Sequence, residues 1–263
     1  MMEKVACDLG EAICDAKDRL GYSNIVLAGW SGGGSLMLWY QALAEAGDGI
    51  SDTAAGDSYT VDAARLPAAN SILMLAAHVS RHRIFTEWLD PSITDESQPH
   101  LRDAQLNLYD AANPNQPPYS ADFLALFAQA QIARNRRITA WVREKLNVIR
   151  ASDSPWSEFA FTVHGTMADP RWLDPSIEPS DRKPGGCYLG DPKIVNDGPV
   201  GLARFCTLRS WLSQWSYDDA RCDAIASGSK ISVPVLVVGN SADDACTPSH
   251  TQRLYDAVTH ERK

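Results

Sequence analysis

One stretch, residues 24–46, constrains the fold more than any other. Asn24-Ile25-Val26-Leu27-Ala28 is an apolar run too short for a helix and suited to a buried parallel strand. Gly29-Trp30-Ser31-Gly32-Gly33 follows, and residues 35–46 (SLMLWYQALAEA) are apolar nearly all round, as in a helix packed beneath a sheet. A strand that enters a helix through so few residues must turn sharply. Glycines on both sides of Ser31 remove the Cβ atoms that would collide there. A hydroxyl at such a corner projects above the sheet edge, with the N–H groups of the following helix aimed at the same place.

The remainder of the chain extends this pattern. Residues 5–20 set Val5, Leu9, Ile13, Ala16 and Leu20 at helical spacing, and Gly21 stops the helix. Residues 47–67, rich in Gly, Asp, Ser and Thr, read as loop. Buried-strand runs recur at 71–77 (SILMLAA) and 233–238 (VPVLVV), and a helix is expected over 249–258. Strand–helix units of this kind imply an α/β protein with a parallel sheet. Between the second and third strands the character changes, with helical patterns at 101–112, 120–150 and 201–215 and a Pro- and Gly-rich stretch at 165–201. The expected organisation is a core over 1–80 and 231–263, with a mostly helical cap over 81–230. Within that block Trp-Leu-Asp-Pro-Ser-Ile occurs at 88–93 and again at 172–177, as a recurrent Asp-Pro-Ser turn or a duplicated element.

Composition excludes several function classes. A chain of 263 residues, 44% hydrophobic, can bury a sizeable core. Its net charge of -9 argues against nucleic acid, whose phosphates need a concentrated basic surface. The six cysteines form no C-x-x-C pair, so neither a zinc site nor a disulfide scaffold is expected, and reduced thiols in a cytoplasmic protein are the plain reading. No metal or cofactor is expected. No apolar run reaches about 18 residues, so no membrane span is expected. Met1 leads straight into an amphipathic pattern without a secretory leader.

Gly29-Trp30-Ser31-Gly32-Gly33 fits G-x-S-x-G, a weak signal alone that gains specificity from the strand before it and the helix after it. A glycine-rich turn with a bystander serine, or a phosphate cradle, would be the alternatives; neither G-x-x-x-x-G-K-[ST] nor G-x-G-x-x-G occurs. Residues 5–46 resemble the nucleophile-elbow region of the α/β-hydrolase superfamily. The resemblance implies a partial α/β-hydrolase parallel sheet with a cap inserted between the second and third strands present. It implies Ser31 as nucleophile and the Gly32 amide as an oxyanion-hole donor. The family's acid lies past the strand that follows the cap, in a G-x-x-D-x-x-x-P setting, and residues 239–248 (GNSADDACTP) stand there. Asp244 completes D-x-x-T-P and is preferred over Asp243, which is nearer by count from Gly239; the other carboxylate is expected to cap the turn or the next helix.

A triad also needs a histidine. In the family it follows one more strand, and several strands precede the elbow. The resemblance therefore implies an internal fragment whose catalytic histidine is missing from the chain. His260 has no strand to carry it to the sheet top. His78 follows Ala76-Ala77 at the carboxyl end of the second strand, as a ligand-edge residue or a hinge-loop histidine. His164 reads as a cap loop residue and His250 as a surface residue at a helix start, while His82 and His100 carry no motif.

The implied activity is cleavage of an ester or related acyl bond in a small molecule. The motif does not separate esterase from lactonase, amidase, peptidase, carbon–carbon hydrolase or acyltransferase. Trp88, Trp141, Trp156, Trp172, Trp211 and Trp215 would line an apolar acyl or aryl pocket, or form the cap's own core. Arg134, Arg136, Arg137, Arg143, Lys145 and Arg150 would attract an anionic substrate, or be a solvated face. The competing class is a non-catalytic binding module, whose unpaired sheet edge would favour a homodimer.

Overall fold

The computed structural model describes residues 1–153 and 155–263. In chain order its elements are α1 (Met2–Asp18), β1 (Val26–Ser31), α2 (Gly32–Ala46), β2 (Ile50–Asp52), β3 (Ser58–Val61) and β4 (Ser71–Ala77). Next come α3 (Arg81–Trp88), α4 (Ala121–Ala151), β5 (Ala160–Thr162), α5 (Pro170–Leu173), α6 (Pro192–Asp197), β6 (Phe205–Thr207) and α7 (Leu208–Gln214). The chain closes with α8 (Ala224–Gly228), β7 (Val235–Val238) and α9 (Pro248–Ala257). Two compact units result: Met1–Arg81 together with Asp219–Lys263, and His82–Asp218.

In the first unit β1, β4 and β7 form a parallel sheet in that order, with β4 central. This is the parallel α/β arrangement that the three apolar runs predict. Helix α2 packs on β1 and β4, α8 on α2, and α9 on α8 and β7. Leu27, Leu38, Tyr40, Ile72, Met74, Val235 and Leu254 belong to the core they enclose. Helix α2 is buried over its whole middle, from Gly34 to Ala42, which explains its nearly uniform apolarity. On the other sheet face Val26, Trp30, Leu236 and Val238 are exposed. Residues 47–67, expected as loop, contain the antiparallel pair β2–β3 and a short 3₁₀ turn at Ala63–Arg65. Buried Val61 anchors that hairpin despite the polar composition around it.

The second unit is built on α4, a 31-residue helix capped by Ser120, whose side chain accepts from the Phe123 amide. Phe123, Phe127, Ile138, Val142 and Leu146 are buried along it. The helix expected at 101–112 is absent. Asp103, Asn107 and Asp110 each accept from the backbone N–H two residues on, so local turns replace the helical ladder. The pattern at 201–215 likewise splits into β6, paired antiparallel with β5, and the shorter α7.

The repeated hexapeptide builds the same turn twice. Asp90 Oδ1 accepts from the amide and hydroxyl of Ser92 at 2.9 and 2.6 Å, and Asp174 Oδ1 from those of Ser176 at the same distances. The two tryptophans that open the copies, Trp88 and Trp172, lie 5.4 Å apart between ring centroids. With Trp211 they are fully buried, so these indoles form the unit's own core, whereas Trp141 and Trp156 are exposed.

The basic stretch also divides. Arg136 pairs with Asp218 at the surface, but Arg134 is only 1% exposed. Its guanidinium donates to both Glu96 carboxylate oxygens at 2.9 and 2.6 Å and to the carbonyls of Asp90, His164 and Gly165. Three carbonyls would lose this donor in Arg134→Ala, while the half-buried Glu96 keeps Arg137 at 3.1 Å. The substitution is expected to destabilise this unit by about 1–3 kcal/mol in urea denaturation. Among the described residues no helix is long and apolar enough to cross a membrane.

Candidate active site

Ser31 ends β1 and precedes α2, with φ 53° and ψ -127°. This is left-handed territory that an L-residue enters at a cost of about 1–3 kcal/mol. Serine is a common helix cap, yet its side chain makes no capping hydrogen bond here. The hydroxyl is near enough to the thiol of Cys246 to act on its ionisation.

The neighbouring strand bends with it. Trp30 pairs with Leu75 but Ser31 pairs with Ala77, so Ala76 is an extra residue, at φ 40°. That bulge drives Ala77 toward the start of α2. A Cβ on Gly34 would run into the Ala77 Cβ, and a Cβ on Gly29 would lie 2.6 Å from the Gly34 Cα and 2.8 Å from the Gly33 carbonyl oxygen. Gly33, the last glycine of the pentapeptide, has open space where its Cβ would be. The corner therefore depends on Gly29 and Gly34, so of the two motif glycines only Gly29 is required by packing. Gly33→Ala, inside a helix start and meeting nothing, is expected to be neutral or to stabilise by up to about 1 kcal/mol in thermal melting.

Gly32 opens α2, with its carbonyl accepting from Arg81 Nε at 3.4 Å. The Arg81 side chain also lies against the position a Gly32 Cβ would take, with Nε 3.3 Å away. A guanidinium thus stands beside the first turn after the nucleophile position.

The loop after β7 supplies the remaining groups. Asp243 Oδ1 accepts from the amides of Ala245 and Cys246 at 2.9 and 2.8 Å, the turn-capping use expected for one of the two carboxylates. Asp244 is partly buried in the same loop. Cys246 is buried, and its sulfur lies 3.2 Å from His78 Nδ1 and 3.4 Å from Nε2. Burial pushes its pKa well above the usual thiol range, the negative charge of Asp243 adds to this, and the Ser31 hydrogen bond works the other way. The thiol is neutral at physiological pH.

His78 is 5% exposed, and its backbone N–H donates to the Ser31 carbonyl at 3.0 Å. The ring of His250 stands edge-on to it at 6.0 Å. His250 is fully buried, not the surface residue its place at a helix start suggests, because that face of α9 turns inward with Leu254. His260 is engaged locally, accepting from the Arg262 amide. Sequence reasoning thus passed over Cys246, His250 and Arg81. The signal that could have found the first two is position: both follow the carboxyl end of a parallel strand, where α/β sheets bind ligands.

No family model matches the sequence, and no curated protein matches it. Among solved structures the chain is similar to the crystal structure of Paleococcus ferrophilus monoacylglycerol lipase, at 13% identity and a TM-score of 0.37. The likeness covers 98% of this chain and 63% of that one, so the chain spans less than two thirds of the lipase. By its own topology the chain is an α/β protein with a parallel β1-β4-β7 sheet and a strand–corner–helix at Ser31.

Proposed function

We propose that the chain carries the nucleophile of a serine-dependent hydrolase acting on an ester or related acyl bond of a small molecule. The observation that supports this reading best is the backbone of Ser31, a non-glycine residue at φ 53° between β1 and α2. A serine with no special task would not persist in a conformation that glycine adopts freely.

In this reading Ser31 Oγ attacks the carbonyl carbon. The Gly32 N–H, at the amino end of α2, donates to the oxygen on which negative charge develops. Asp244 serves as the acid that orients the base. A second reading, a binding module without turnover, draws on the exposed apolar sheet face of Val26, Trp30, Leu236 and Val238, which would also favour a homodimer.

A fluorophosphonate probe separates them. Covalent labelling of the wild-type chain that disappears in Ser31→Ala supports the hydrolase reading. Absence of labelling in a chain with a cooperative melt overturns it in favour of the binding module.

A further inference from the structure

We propose that His78, acting through the Cys246 thiol, receives the proton that Ser31 gives up when it attacks. The inference rests on the hydrolase reading and adds a proton route made wholly of residues in the first unit.

Three strand ends converge on this route. Ser31 ends β1, His78 follows β4, and Cys246 lies in the loop after β7, so adjacent parallel strands deliver all three to one sheet edge. The backbone locks two of them together, since the His78 N–H donates to the Ser31 carbonyl at 3.0 Å. The Cys246 sulfur then stands between their side chains, close enough to Ser31 to interact with its hydroxyl and 3.2 Å from the imidazole. A buried thiol set between a hydroxyl and an imidazole nitrogen is placed to pass a proton rather than to attack.

The step balances as follows. A bond forms between Ser31 Oγ and the acyl carbon, and the carbonyl π pair moves onto oxygen. The Ser31 proton goes to the Cys246 sulfur while the Cys246 S–H proton goes to the His78 ring, leaving a neutral thiol and an imidazolium. On collapse the bond to the leaving oxygen breaks with its electron pair, and the imidazolium proton returns through the thiol to that oxygen. His78 touches no reacting atom, so its role is to set the protonation of the relay. The titratable and charged groups that the surrounding elements bring to the sheet edge include Cys246, Asp243 and Asp244 after β7, His250 on α9 and Arg81 at the start of α3. Strand β1 and the first turn of α2 bring none.

The test is the rate of fluorophosphonate labelling of Ser31 against pH. In the wild type the rate is expected to fall toward acid pH, where a protonated imidazole can no longer receive the proton. His78→Gln is expected to label at least about 100-fold more slowly and to lose that limb. Cys246→Ala is expected to match it, and Cys246→Ser, which keeps a hydroxyl in the relay, to recover most of the rate together with the acid limb. If His78→Gln labels at the wild-type rate with its acid limb intact, the relay is overturned while the hydrolase reading stands. Should His78→Gln fail to fold, the cysteine pair decides: Cys246→Ala labelling like wild type overturns the relay. A folded wild-type chain that takes no label overturns both.

Discussion

Ser31→Ala is expected to lose at least about 1000-fold in reaction with ester substrates or a fluorophosphonate, because no other group can take over the attack. Its stability is expected to move little. Alanine keeps the positive φ of the corner, and deleting the hydroxyl removes only its polar interaction with Cys246, worth about 1 kcal/mol. Ser31→Gly makes the sharper experiment. Glycine enters φ 53° without a steric penalty, so the variant is expected to be equally inactive yet to melt higher, the relief being on the order of 1 kcal/mol. Activity lost with stability gained is the mark of a residue held under strain for its chemistry. A melt that drops in Ser31→Gly would mean the corner is an ordinary turn.

Gly29→Ala is expected to have the largest effect on folding. The new methyl would stand 2.6 Å from the Gly34 Cα and 2.8 Å from the Gly33 oxygen and Gly34 nitrogen. All three atoms are backbone, so no side chain can swing away, and β1 would have to part from α2. That contact carries the core of Leu27, Leu38 and Tyr40. A loss of more than about 4 kcal/mol, read as a collapse of the urea midpoint or an insoluble chain, follows from overpacking where nothing can relax. The comparison is Gly33→Ala, one residue before Gly34 in the same corner, which meets open space. If both substitutions behave alike, the corner is not packed as described.

The strand, corner and helix at 24–46 were legible because each signal there is local: an apolar run of strand length, glycines, then an apolar helix. The three strands of the sheet were legible for the same reason, as buried parallel strands read as unbroken apolar runs. Helix 101–112 was misread because Asp103, Asn107 and Asp110 sit at spacings that also suit helical turns, and only geometry shows their side chains capturing the backbone. The polar stretch 47–67 hid a hairpin anchored by Val61, the one buried residue of its two strands.

At the site the division is just as clear. The order of residues alone led to Ser31 as the hydroxyl on a strand-to-helix corner, because the φ that corner needs is a property of a few consecutive residues. Which glycines the corner needs is settled by an atom from another strand, since the Ala76 bulge is what brings Ala77 against Gly34. The pairing of His78 with Cys246, 168 positions apart in the chain, arises only when β1, β4 and β7 align in parallel and set their carboxyl ends on one edge. Periodicity reports how a residue relates to its near neighbours, and contacts across that distance leave no trace in it.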